Sequence, residues 1–216
     1  MANVFVVGAA GNVGTRLVSK LVKGSHHVVA MHRKEQQQQD LEGRGARTCL
    51  LSITETDVPT LASAIKGCDT VVFTAGAGGA SEELTNKVDG EGLEKTVDAA
   101  IAAGAKRFVL VSAFPDAGRG KKISDTFENY MRVKRLSDAY LAESELDWVI
   151  LRPGTLTIEE GTGKVNAGYA IKYGDVSRDN VADTIRAIID NKALTHKIIE
   201  LTDGDVPVDE AIGKFL

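Results

Sequence analysis

The stretch Val4-Phe5-Val6-Val7-Gly8-Ala9-Ala10-Gly11-Asn12-Val13-Gly14 constrains this chain more than any other. An apolar run of strand type stops at Gly8. After Gly14, Leu17, Val18, Leu21 and Val22 form an apolar stripe at helical spacing. Strand, glycine turn and helix in that order suit a phosphate group. A helix N-terminus offers unpaired N–H groups and the positive end of its dipole. Glycines let the backbone turn sharply and approach a bulky anion. The spacing is G-x-x-G-x-x-G, and the expected ligand is a dinucleotide.

The rest of the chain repeats this alternation. Apolar strand-like runs recur at His27–Met31, Arg47–Ile53, Thr70–Ala75, Phe108–Ser112, Asp147–Leu151 and Lys197–Leu201. Between them lie helical patterns: a polar stretch from Glu35 to Gly45, a stripe of Val58, Leu61, Ala62 and Ile65 ended by Gly67, one long helix over Glu82–Ala103, then Phe127–Glu143 and Asp179–Asp190. Ser177 and Asp179 are both candidate caps for the last of these. Val165–Tyr173 reads as a hairpin or an extended segment, and a short helix closes the chain. Strands alternating with helices predict an α/β fold with a doubly wound parallel sheet. The glycine-rich first turn selects the Rossmann order 3-2-1-4-5-6, with the ligand across the switch point. Residues 1–216 are read as a single nucleotide-binding domain, with a small C-terminal lobe formed mainly by 152–178 and 195–216.

The net charge of −4 gives no basic surface for nucleic acid. No apolar run approaches a membrane span, and no signal-peptide or lipidation pattern is read, so the expected compartment is the cytoplasm. Cys49 and Cys68 lack a Cys-x-x-Cys partner and read as buried, reduced thiols. His26, His27, His32 and His196 lack the spacing of a metal site, and no metal is expected.

The end of the second strand selects the dinucleotide. An NAD-type site places an acidic residue there to hold the ribose hydroxyls. Here the place is taken by His32-Arg33-Lys34. A guanidinium grips a 2′-phosphate with paired hydrogen bonds, whereas a carboxylate repels it. NADP(H) is therefore expected over NAD(H), with Arg33 as main contact and Lys34 or His32 as helper. By topology, Leu51, Ser52 and Ile53 should pack beside the adenine. Thr74, Ala75 and Gly76 should let the backbone run close to the ribose. Further along, Tyr130 and Lys134 stand at i and i+4 and so share a helix face. An ammonium beside a phenol lowers its pKa toward acid–base use and can also hydrogen-bond a ribose.

Gly8-x-x-Gly11-x-x-Gly14 together with Tyr130-x-x-x-Lys134 resembles the short-chain dehydrogenase/reductase superfamily. Arg33, Phe108-Val109-Leu110-Val111-Ser112-Ala113, Leu151-Arg152-Pro153-Gly154 and Ser177-Arg178-Asp179-Asn180-Val181-Ala182 narrow the resemblance to its atypical, NmrA-like branch, which includes bacterial proteins of epimerase/dehydratase-like type. The resemblance implies that Gly8, Ala10, Gly11, Asn12, Val13 and Gly14 cradle the pyrophosphate. It implies that Lys134 holds the nicotinamide ribose, that Tyr130 is the general acid or base, and that Pro153 and Gly154 lie near the nicotinamide amide.

The sequence departs from that family in two places. The Ser or Thr that helps bind a substrate oxygen falls on Ala113, with Ser112 one residue earlier and facing either substrate or cofactor. The Asn of the helix after the fourth strand falls on Asp89. Losing one oxyanion donor costs about 10²–10³ in rate. Two readings follow. One is an NADP(H)-dependent oxidoreductase acting on a small carbonyl compound, or an epimerase-like enzyme, with Tyr130, Lys134 and Ser112 as its catalytic set. The other is a non-catalytic sensor of the NADP(H) redox state. Either works as a monomer or homodimer. Lys121 and Lys122 either favour an anionic substrate or keep a loop solvated.

Overall fold

The computed structural model describes all residues, Met1 to Leu216. In chain order the elements are β1 (Asn3–Val7), α1 (Gly14–Lys23), β2 (His27–His32), α2 (Gln38–Gly43), β3 (Arg47–Leu50), α3 (Val58–Ile65), β4 (Thr70–Phe73), α4 (Glu82–Thr85), α5 (Gly92–Ala103), β5 (Arg107–Val111), α6 (Asp125–Ala142), β6 (Asp147–Pro153), β7 (Thr155–Thr157), β8 (Lys164–Gly168), β9 (Asp175–Ser177), α7 (Arg178–Asp190), β10 (Lys197–Asp203), β11 (Val206–Pro207) and α8 (Val208–Gly213).

The main sheet runs β11-β8-β10-β6-β5-β4-β1-β2-β3. The expected order 3-2-1-4-5-6 lies unbroken within it, and every neighbour in that part is parallel. β10 joins parallel to β6, and β8 and β11 finish that edge antiparallel. β7 and β9 form a separate parallel pair, with Leu156 opposite Val176. Residues 195–216 thus place β10 and β11 in the main sheet. Residues 152–178 contribute β8 to it and the β7–β9 pair beside it.

Alternation along each strand explains why the sheet is covered on both faces. Val4 and Val6 of β1, Val72 of β4, Val109 of β5 and Val149 and Leu151 of β6 enter a core shared with α1, α7 and α8. Phe5, Val7, Val71, Phe73, Phe108, Leu110 and Ile150 point the other way, into a core under α3 and α5. Burying each such side chain contributes about 1.5–3 kcal/mol.

The expected single helix over 82–103 is interrupted. A π-helical segment, Asn86–Glu91, joins α4 to α5. Gly90 and Gly92 weaken the α-helical preference there. Asp89 is drawn inward, where its Oδ2 accepts from the Ala77 N–H (2.9 Å) and its carbonyl accepts from Ser137 Oγ (2.6 Å). At α7, Ser177 is the cap: its hydroxyl accepts from the N–H groups of Asp179 and Asn180.

The far end of α7 is tied by a buried cation. Arg107, at the start of β5, donates through Nη2 to the carbonyls of Ile188 (2.9 Å) and Leu194 (2.7 Å) and through Nη1 to that of Lys192 (3.0 Å). The Ile188 carbonyl is in the last turn of α7, whose carbonyls a helix end leaves unpaired, and those of Lys192 and Leu194 belong to the loop that follows. Arg107→Met keeps the aliphatic bulk but strands them, so we expect a loss of about 3 kcal/mol in unfolding free energy by urea denaturation. An unchanged midpoint and slope would show that water replaces the guanidinium at no cost.

Candidate functional site

A cleft of about 920 Å³ opens at the carboxyl ends of β1 to β5. Its centre is the gap between β1 and β4, where the chain reverses its direction of travel across the sheet. Thr74 closes that gap by donating from its hydroxyl to the Val7 carbonyl (3.0 Å).

The three glycines of the first turn do three different things. Gly8 has φ +82° and runs against the β4 end: a Cβ there would lie 2.6 Å from Ala75 N. Gly11 is exposed, and its N–H donates to the Gly8 carbonyl (2.9 Å). Gly14 is buried and does not line the cleft, because it packs beneath the Gly8 carbonyl and Ala9, where a Cβ would overlap them. The cradle itself is therefore Gly8, Ala10, Gly11, Asn12 and Val13, with Gly14 as its support. The N–H groups of Asn12 and Val13 donate to no backbone carbonyl, and α1 has neither a side-chain cap nor an acidic residue in its first turn. Free amides, an uncompensated dipole and a close-approach glycine fit a pyrophosphate.

At the β2 end, Arg33 is exposed in the cleft wall, and buried His32 lines it with an unpartnered Nε2. Gln37, absent from the sequence reading, fixes this corner: its Oε1 accepts from the N–H groups of Arg33 (3.3 Å) and Lys34 (3.1 Å). Those amides are committed, which leaves the Arg33 guanidinium to meet a ligand. Lys34 stands outside the wall. Its carbonyl accepts from His32 Nδ1 (3.0 Å), and its side chain turns to solvent. Leu51, Ser52, Ile53, Thr74, Ala75 and Gly76 all line the cleft as their strand ends implied.

The opposite end gathers Ser112, Tyr130 and Lys134. Lys134 is 3% exposed. Its ammonium donates to the Val111 carbonyl (2.9 Å) and lies 3.5 Å from Asp89 Oδ1. This overturns the expectation for Tyr130. Burial first, and then the Asp89 and Asp138 carboxylates, push the phenol above the ordinary tyrosine range rather than below it. The Lys134 ammonium, paired with Asp89, does not reverse this. Asp138, one helical turn past Lys134, is gripped by Arg152 through Nε (2.9 Å) and Nη2 (2.8 Å). Burial raises the Asp138 carboxyl, while the Ser112 hydroxyl and Arg152 pull it down. Ser112 Oγ has no well-formed hydrogen bond of its own, although it lies close enough to ease that carboxylate's burial.

Ala113, Pro153 and Gly154 do not reach the cleft. Gly154 is clasped between β10, where its N–H donates to the Leu201 carbonyl (2.9 Å), and Gly174, whose carbonyl leaves no room for a Cβ. Leu156 of β7 takes the place in the wall expected of Pro153 and Gly154. Sequence reasoning also missed Phe127, whose ring centroid lies 6.1 Å from that of Tyr130, and Leu84, Val88, Leu156 and Arg178, which line the same cleft. Leu84 and Val88 are four apart, a signal that was available. Leu156 depends on the β7–β9 pairing and had none. No cluster of three or more His, Cys, Asp or Glu side chains is placed to hold a metal ion. No helix is long and apolar enough to cross a membrane.

Residues 8–192 match the family described as NAD(P)H-binding. The chain belongs to this family. Over 214 residues it is 40% identical to a Bacillus subtilis protein described as an uncharacterized sugar epimerase, covering 98% of this chain and 99% of that one. A Bacillus halodurans structure, provisionally classed as an NAD-dependent epimerase/dehydratase, superposes with a TM-score of 0.90 at 33% identity, covering 99% of this chain and all of that one (100%). The anaerobilin reductase ChuY of Escherichia coli O157:H7 superposes with a TM-score of 0.79 at 25% identity, over 94% of this chain and 98% of that one. Membership accounts for the glycine cradle and the doubly wound sheet together. The atypical, NmrA-like short-chain dehydrogenase/reductase character read from the motifs agrees with it.

Asp89 opposes ionisation of Tyr130 by charge, so Asp89→Asn should lower the phenol's pKa. A ¹³Cζ-tyrosine NMR titration, assigned with Tyr130→Phe, should show the Tyr130 signal moving at a lower pH in Asp89→Asn than in the unmodified protein. An unchanged titration would mean that the Asp89 charge plays no part and that burial alone raises the phenol.

Proposed function

We propose that the protein is an NADPH-dependent reductase of a small, largely apolar carbonyl compound. One observation carries this reading. A single cleft holds an unpaired Arg33 guanidinium at one end and, at the other, a protonated Tyr130 beside Ser112 and Lys134. Arg33 stands where a 2′-phosphate would sit, and no carboxylate lines that corner to favour a free ribose hydroxyl. The nicotinamide, when bound, supplies a hydride to the carbonyl carbon.

The chain's own residues do the remainder. Gly8, Ala10, Gly11, Asn12 and Val13 seat the phosphates with backbone N–H groups. Lys134 is pinned by Val111 and Asp89, and it presents its remaining N–H to a ribose hydroxyl rather than swinging freely. Tyr130 retains its proton throughout the neutral range and gives it to the carbonyl oxygen as the alcohol forms. The raised phenol keeps its proton at neutral pH and so is present in the donor form, although it is a weaker acid than an unperturbed tyrosine. Ser112 Oγ, lacking a well-formed hydrogen bond, turns its proton from the nearby Asp138 carboxylate to the same oxygen, in place of the hydroxyl missing at Ala113. Leu84, Val88, Phe127 and Leu156 exclude water and select an apolar substrate body.

Ala113 supports a second reading, a non-catalytic protein that binds oxidised and reduced NADP with different affinities. NADPH oxidation against a panel of aldehydes, ketones and quinones separates the two. The reductase reading expects net NADPH consumption, with Tyr130→Phe lowering kcat about 10²-fold or more. Turnover untouched by Tyr130→Phe would remove the mechanism. Substrate isomerisation without net NADPH loss would point to an epimerase. Arg33→Ala should weaken NADPH binding at least tenfold more than NADH binding in calorimetric titrations; equal loss of both would sink the NADP preference.

A further inference from the structure

Two guanidinium groups in the cleft wall have no anionic partner: Arg33 after β2 and Arg178 in the first turn of α7. Arg178 is half-buried, and the acids around it are engaged elsewhere. Asp179 faces Arg16 (3.7 Å) and Lys20 (3.6 Å), and Asp183 faces Lys20 (2.8 Å). Asp89, the acidic residue of the wall, is held by Lys134 and the Ala77 N–H. A half-buried cation facing a cleft without a counter-ion is costly unless a ligand brings the charge.

The backbone that carries Arg178 is fixed beside the glycine turn. Arg16 of α1 donates to the Asn12 carbonyl (2.7 Å) and reaches Asp179 with its Nε, so the start of α7 is tied to the start of α1. On the other side, the Ser177 hydroxyl caps α7 and the Ser177 N–H donates to Asp203 Oδ1 (3.1 Å). Asn12 and Arg178 therefore line the same cleft from two helix N-termini locked to each other.

We propose that Arg178 grips the pyrophosphate of the bound dinucleotide from the α7 side, facing the free amides of Asn12 and Val13. This rests on the dinucleotide-binding reading above but not on the NADP preference. An NADP-type dinucleotide has two anionic centres, the 2′-phosphate and the pyrophosphate, and the cleft has two uncommitted guanidiniums to receive them. A planar guanidinium bridges two phosphate oxygens with parallel hydrogen bonds, which a lysine cannot reproduce. Arg178 is thus a cofactor-positioning residue common to NADH and NADPH, whereas Arg33 meets only the 2′-phosphate.

The test is calorimetric titration of the full chain with NADPH, NADH and adenosine 2′-monophosphate, which lacks the pyrophosphate. Arg178→Ala, Arg178→Gln, Arg178→Lys and Arg33→Ala are compared with the unmodified protein, and thermal melts confirm that each is folded. Arg178→Ala and Arg178→Gln should weaken NADPH and NADH by similar factors of about tenfold or more and leave adenosine 2′-monophosphate within about twofold. Arg178→Lys should recover part of the loss. Unchanged dinucleotide affinity, or a loss seen with NADPH alone or extending equally to adenosine 2′-monophosphate, overturns the assignment. Arg33→Ala is read separately: if it weakens NADH and NADPH alike, the NADP preference fails while the Arg178 result stands.

Discussion

The packing of Gly14 beneath the Gly8 carbonyl is the constraint on which the cleft depends. It sets how soon α1 begins after β1, at a turn whose Asn12 and Val13 amides donate to no backbone carbonyl. Gly8 in turn lies against Ala75, so the β1 turn and the β4 end approach more closely than any side chain would permit. Thr74 bonds across the same gap. The switch point is thus closed below by backbone contacts and by the Thr74 hydroxyl.

The two ends of the cleft handle charge in opposite ways. At the Tyr130 end every ionic group is already answered: Lys134 by Asp89 and Val111, Asp138 by Arg152. Such a network holds its geometry with no ligand present, which is what preorganised chemistry requires. Toward the phosphates, Arg33 and Arg178 are left unanswered. The contrast separates a part of the cleft whose charges compensate one another from a part that leaves positive charge uncompensated.

Much of this was legible in the sequence. Gly8, Gly11 and Gly14 with the following stripe gave the first turn and, with it, the order of six parallel strands, which the apolar runs located along the chain. Arg33 and the Tyr130–Lys134 pair were found by position and spacing. Spacing could not say that Gly14 is structural, because only the fold of the turn shows which glycine faces the ligand. Nor could it give the sign of the Tyr130 shift. That sign depends first on burial and then on Asp89, which is distant in sequence and brought in by a π segment that no periodicity announces. Pro153 and Gly154 stand outside the cleft wall for a related reason: β10 captures Gly154, and beyond it Leu156 lines the cleft.

The π segment between α4 and α5 has a consequence for how the cleft can vary. Each residue of an α-helix turns the chain by about 100°, so one residue more or fewer between Asn86 and Glu91 rotates everything upstream by that angle. Leu84, on the upstream side, would leave the wall, while Leu93 and Val97, downstream, would keep their places in the core. A single helix therefore carries a rigid half and an indexable half. An insertion or deletion at that joint could change the shape offered to a substrate without disturbing the sheet or the phosphate cradle.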